Sequence, residues 1–277
     1  PKATLSDNYA PMAGKLISIT RPAAVMTIDL EALQAKGYGD ALPRLKEWVS
    51  QYLDLDLDDV KRVVAVGASS DDFSLALETI DPVVADTLKE RFGAPDAKGG
   101  YHFETLRGPF VVRAVEPHLL IVGRAVAMEE LANTVPSSVI PPELANRLAK
   151  ASGRLLSYLD GSMVESGNLP FFLADPGPKL THKFVSLSFG KETVLDVEAI
   201  YTEERSAAAY AASYTAALQE GLRKLAVDHE ALVDEAVGDI TATSIKSKGT
   251  IHWSLGSSQG PLIKPLIEMI ADPLGAE

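Results

Sequence analysis

Residues 62–80 read RVVAVG-ASSDD-FSLALETI, and residues 184–201 read FVSLSFG-KE-TVLDVEAIY. Each is a strand-like apolar run, a short polar joint, a longer strand-like run, and then an acidic stretch that opens a helix. Pairs of strands joined by tight turns make antiparallel neighbours, whereas a parallel sheet needs a long crossover between successive strands. Two such units in one chain therefore point to a largely antiparallel sheet and exclude a simple doubly wound nucleotide-binding fold.

The chain extends this plan outward from each unit. Residues 23–28 (AAVMTI) form a strand with apolar residues on both faces, the pattern of a central strand. Asp29 opens a helical region carrying Leu30, Leu33, Ala41, Leu45, Trp48, Val49 and Tyr52, which Gly37, Gly39 and Pro43 divide into two pieces. A helix is expected over 82–92, with Asp81 as N-cap and Pro82 at its first position. Strands at 101–106, 110–115 and 118–122 have the spacing of a meander, and a helix over 125–133 closes this half. Residues 135–142 (VPSSVIPP) cannot continue a helix. After a helix at 143–151 the plan restarts with a strand at 154–159 and an irregular, glycine- and proline-rich stretch over 160–179. The second unit is followed by helices at 203–226 and 229–237, strands at 240–246 and 250–255, and a last helix at 261–270. The reading is an α+β fold of two pseudo-repeats of mostly antiparallel sheet with helices packed on one face. Its parts are an N-terminal arm (1–22), a first repeat (23–134), a Pro/Ser linker (135–142) and a second repeat (143–277). Whether the halves share one sheet stays open.

Composition narrows the function classes. The 277 residues are 46% hydrophobic and 23% charged, as in packed proteins, with 26 basic against 38 acidic side chains and a formal charge of −12. A field of that sign disfavours nucleic acid as a partner. The absence of cysteine removes disulfides, thiolate metal sites and cysteine nucleophiles. No apolar run approaches the roughly 20 residues that span a bilayer as a helix. The sequence starts at Pro1, read as the loss of an upstream piece such as a tag or an export signal, and a lipid anchor upstream is compatible with it.

Four constellations could carry chemistry. Gly256-Ser257-Ser258-Gln259-Gly260 matches G-x-S-x-G between a strand and a helix, which makes Ser258 a candidate nucleophile and His252, on the preceding strand, its candidate base. No histidine follows that turn, however, so the acid and base partners do not come in the order such hydrolases use. The competing reading is a turn in which serine caps the last helix. Asp54, Asp56 and Asp58 alternate with leucines like the start of a calcium loop, but the sixth position is Asp59 rather than glycine and the twelfth is Ala65 rather than glutamate. The competing reading is a wet loop whose leucines tuck under the helix. His102 and Glu104 share a strand face, which leaves His102, together with His252, as a candidate for a metal site assembled across strands. Tyr210 and Tyr214, one turn apart on the alanine-rich helix 203–226, are candidates for an apolar-ligand groove beneath it, set against a plain packing face. No cofactor-binding motif is present. The partners left open are a protein or a small apolar ligand.

The segments AAVMTIDLEAL (23–33) and LDLDLDDVKRVVAVG (53–67) resemble those of uncharacterised exported, lipoprotein-like bacterial proteins. The resemblance carries no catalytic residues. It implies a periplasmic or outer-membrane-anchored location, with the cytoplasm as the alternative, and a non-enzymatic binding or scaffold role at the cell envelope. The alternative role is a hydrolase with a serine site near Ser258 or a metal site near His102 or His252.

Overall fold

The computed structural model describes residues 9–17, 24–69, 72–83, 85–126, 128, 140–161 and 179–271. Eleven strands form one continuous antiparallel sheet in the order β10-β11-β9-β8-β7-β1-β2-β3-β6-β5-β4. In chain order they are β1 (Ala24–Asp29), β2 (Val60–Ser69), β3 (Asp72–Thr79), β4 (Tyr101–Thr105), β5 (Gly108–Glu116), β6 (Leu119–Arg124), β7 (Arg154–Asp160), β8 (Leu180–Phe189), β9 (Thr193–Tyr201), β10 (Thr241–Ile245) and β11 (Lys248–Leu255). Eight α-helices accompany them among the described residues: α1 (Ala10–Ile17), α2 (Leu30–Ala35), α3 (Pro43–Leu53), α4 (Ala85–Phe92), α5 (Pro142–Leu148), α6 (Glu204–Leu225), α7 (Glu230–Val237) and α8 (Ile263–Ala271).

The two halves meet at the pair β1–β7, where Ala24 lies opposite Leu159 and Ile28 opposite Leu155. On one side β1, β2 and β3 follow outward and β6 then pairs with β3; on the other, β7, β8 and β9 follow outward and β11 pairs with β9. The outer part is a three-stranded meander in the first half and a hairpin in the second. Every residue of β1 is buried, because strand alternation sends Ala24, Met26 and Ile28 into one core and Val25 into another.

The larger core lies under six helices. Trp48 of α3 meets Phe73 and Phe110 edge-on, and Tyr210 and Tyr214 of α6 lie over the second half beside Trp253. The buried positions of α6 (Ala207, Tyr210, Ala211, Tyr214, Leu218 and Leu222) recur at three- and four-residue spacing, one stripe of a helix. Close approach depends on Gly249 of β11, where a Cβ would stand 3.2 Å from the Ala207 carbonyl oxygen. Only part of the alanine-rich segment serves packing, since Ala208, Ala209, Ala212 and Ala216 are exposed.

Helices on one face describe six of the eight. The centre of the opposite face is covered by α1 and α5, whose Ala13, Leu16, Leu144 and Leu148 pack on Val25, Val64, Leu156 and Phe184. The expected loose N-terminal arm is thus, over its described part, a docked helix with Tyr9, Ala13 and Leu16 wholly buried. A strand buried on both faces needs a cover on both, and the first helix supplies part of it. The helix expected from Pro82 is described over Ala85–Phe92; Pro82 and Val83 lie outside it, and the Val83 amide donates to the Pro117 carbonyl instead. Of the expected linker, Pro142 already belongs to α5, and 135–139 lie outside the described residues, as do 162–178 of the irregular stretch.

A row of three charges ties the first half together under α1. Asp29, Arg62 and Glu78 stand side by side on β1, β2 and β3. Arg62 and Glu78 form a buried two-point ion pair, Nε–Oε2 2.6 Å and Nη2–Oε1 3.0 Å, with the guanidinium 5.2 Å from the Tyr9 ring centre. Burial pushes the Arg62 pKa down, but the Glu78 carboxylate outweighs it and holds it raised. Asp29 accepts from the amide of Ala32, capping α2, and from the amide of Gly153 at 2.8 Å, which fastens the start of the second half to the first.

Candidate functional site

Beyond α5, on β8, β9, β11 and β10, no helix among the described residues covers this face of the sheet. Register places side chains there in rows that no local motif contains. One row runs Leu156, Ser186, Asp196, His252, Thr241 across β7, β8, β9, β11 and β10. The next runs Tyr158, Phe184, Glu198, Thr250, Thr243. Alpha-helix α5 covers the inner end of the second row, with the Arg147 guanidinium 3.9 Å above the Phe184 ring. Between α5 and these rows lies a cleft of about 450 Å³, within the range of small-molecule sites.

The carboxylates on its floor are already engaged. Glu198 accepts from Arg147 at 3.0 Å and from Lys248; burial pushes its pKa up, and the two cations more than reverse this and hold it below the ordinary carboxylate range. Asp196 accepts from Nδ1 of His252 at 2.8 Å, and both side chains are more than half exposed. Three groups remain unused. Lys150 and Arg154 line the cleft, exposed and without an ion pair among the described residues. Ser186 is 8% exposed, and its hydroxyl oxygen is buried without a hydrogen-bond partner among the described residues. A polar atom left so costs about 1–3 kcal/mol unless a ligand or water meets it.

The residues singled out in the sequence fall in separate places. Ser258 is exposed in a short 3₁₀ turn, Ser257–Leu262, that leads into α8. It makes no side-chain hydrogen bond to a histidine or carboxylate among the described residues. The capping expected of serine comes from Gln259, whose Oε1 accepts from the Gly256 amide while its Nε2 donates to Asp239. His252 points into the cleft instead.

Asp54 ends α3 in the left-handed region (φ 57°) and lies 3.4 Å from Arg91. Asp56 accepts from the Asp58 amide, and Lys46 reaches both Asp56 and Asp58. Leu57 is buried, so the loop's leucine tucks in while its aspartates face two cations. Among the described residues no group of three or more histidines and carboxylates is placed to hold a metal ion. His102 pairs with Asp96 at 3.0 Å and serves the turn before β4: the amides of Gly100 and Lys98 donate to the same carboxylate.

Tyr210 and Tyr214 fill the space beneath α6 with their own rings, 5.4 Å apart and edge-on, both deep in the core. Their hydroxyls are buried without a hydrogen bond among the described residues, and burial raises both pKa values well above that of a free phenol. Beside them Lys183, fully buried, holds its ammonium 5.3 and 5.5 Å from the two ring centres. In the run KFVSLSF the one signal that this lysine faces the core is its alternation with Val185 and Leu187, which share its face.

No protein-family model matches the chain, and no curated protein matches it. Its fold is similar to that of TP0453, solved in its crystal form I, with a TM-score of 0.52 over 91% of this chain and 97% of that one. At 13% identity the likeness concerns the fold alone.

Proposed function

We propose that this chain is a non-enzymatic binding protein of the cell envelope whose cleft beneath α5 takes a small organic acid, a carboxylate or phosphate ester. One observation carries the reading: in a chain of net charge −12, the lip of this cleft keeps Lys150 and Arg154 without ion pairs among the described residues, next to the unpartnered hydroxyl of Ser186. Glu198 is neutralised by Arg147 and Lys248 and Asp196 holds a hydrogen bond from His252, so the unused capacity of the cleft lies in the cations Lys150 and Arg154 and in the Ser186 hydroxyl. Binding is favoured over hydrolysis because the His252–Asp196 pair is exposed and Ser258 sits outside the cleft lining. The envelope location rests on the resemblance to exported, lipoprotein-like proteins. The corresponding strand orders on either side of β1–β7 support internal duplication as the origin of the two halves.

Titration calorimetry with succinate, glycerol phosphate and inorganic phosphate tests the reading. Saturable binding is expected, about tenfold weaker in Arg154→Ala and in Ser186→Ala, the loss of one charge-assisted hydrogen bond. No binding by any of the three, or binding untouched by both substitutions, overturns it. Fractionation of the native host, with sequencing of the mature N-terminus, tests the location; recovery in the cytosol counts against it.

A further inference from the structure

The two edges of the sheet are treated differently. At one edge β4 carries His102 and Glu104, and the Asp96–Gly100 turn folds against its start. Charges of this kind are a usual protection of an edge strand. At the other edge β10 reads Thr-Ala-Thr-Ser-Ile, without charge, proline or bulge. Among the described residues it pairs with β11 alone, and Thr241, Thr243, Ser244 and Ile245 are exposed, Ile245 at 73%. Such an edge is a template for another strand.

We infer that β10 pairs with β10 of a second copy of this chain, antiparallel about a twofold axis at Thr243, joining two sheets into one. The hydrogen-bond phase allows it. Ile245 and Lys248 close a two-residue turn, so the backbone groups of Thr241, Thr243 and Ile245 face β11 and those of Ala242 and Ser244 face outward. About that axis Ala242 meets the partner's Ser244, and Ser244 meets the partner's Ala242, each pair exchanging both of its hydrogen bonds. Thr243 then lies against its own copy, and Ile245 covers the partner's Thr241. All these side chains are small or β-branched, the kind that pack well across strands.

The flanks are complementary in charge. Asp239 precedes β10 and Lys246 follows it, both exposed, and Lys246 has no ion pair among the described residues. Antiparallel pairing sets Asp239, which keeps its bond from Gln259, opposite the partner's Ser247 and one residue from the partner's Lys246, twice over, where parallel pairing would set like against like. Above the sheet, α8 packs against β7 and the Gly221 region of α6, so the opposite flank of α6 faces the β10 edge. Toward its N-terminal end that flank carries Ala208 and Ala212, exposed and small enough for a second α6 to come close, while α7 occupies its C-terminal end, where Asp234 accepts from Gln219 and Arg223. The same pairing continues the rows of the cleft floor, which end in Thr241 and Thr243, into the partner's sheet.

Sedimentation equilibrium of the full chain tests this. A reversible species of twice the 29.6 kDa chain mass is expected to grow with concentration up to about 200 μM. Amide exchange at Ala242 and Ser244 should slow as the dimer fills. Ser244→Pro removes an outward donor, and Thr243→Lys sets two cations on the axis; each should weaken dimerisation at least about tenfold while circular dichroism and melting stay near those of the unaltered chain. Lys246→Glu should weaken it several-fold. A chain that stays monomeric throughout overturns the inference, and so does a dimer indifferent to both Ser244→Pro and Thr243→Lys. A monomer with Ala242 and Ser244 already protected would mean that the chain covers its own edge, which also overturns it.

Discussion

Removing Glu78 should cost this protein more than removing any surface carboxylate, and the reason lies in what it leaves behind. Arg62 and Glu78 are 5% and 4% exposed, between two strands and beneath Tyr9. Both guanidinium contacts at 2.6 and 3.0 Å end on this one carboxylate. In Glu78→Leu the guanidinium keeps its burial and loses its closest counter-charge, with the Asp29 carboxylate left on its other side, so a loss of about 3 kcal/mol is expected. Replacing both partners removes the stranded charge. Arg62→Met with Glu78→Leu should return to within about 1.5 kcal/mol of the starting stability, since a buried pair is often no better than apolar residues of like volume. Asp29 tolerates the change because it keeps the amides of Ala32 and Gly153 as donors. Urea unfolding of the four proteins, followed by circular dichroism and by the fluorescence of Trp48 and Trp253, gives the full cycle. A coupling of about 2 kcal/mol or more is expected. If Glu78→Leu costs under about 1 kcal/mol, or the double substitution costs the sum of the singles, the pair is not held as described.

Asp29→Ala removes an N-cap and strands the Gly153 amide, and should lower stability by about 2–4 kcal/mol in the same assay. Gly249→Ala places a methyl 3.2 Å from the backbone of α6; a loss of about 1–3 kcal/mol is expected, and an unchanged melting temperature would mean the helix gives way freely. Asp96 accepts from the Gly100 amide, from His102 and from the Lys98 amide, which brings its pKa down to about 2. Because the folded value is depressed, its stabilising contribution is whole above the unfolded value of about 4 and fades as pH falls toward 2. Carboxyl NMR should place the Asp96 midpoint near there, and His102→Ala should raise it only in part, since the Gly100 amide is the larger cause.

Much of this fold is legible along the chain because its strongest determinants are local. The hairpins β2–β3 and β8–β9 follow from apolar runs broken by short polar joints, and the doubly apolar run of β1 announces a central strand. The stripe of α6 follows from helical spacing, and the acidity and lack of cysteine limit the chemistry before any coordinate is known. What the tertiary structure alone decides is non-local. Nothing in residues 24–29 specifies 154–160 as their neighbour, yet that pairing turns two halves into one sheet. The first helix looks like a loose arm until the sheet offers it a surface to bury against. The cleft is the clearest case: Ser186, Asp196 and His252 become neighbours through the registers of three strands. Alternation along a strand tells which face a side chain takes; which side chains share that face across strands is set by pairing between distant segments, which no local pattern encodes.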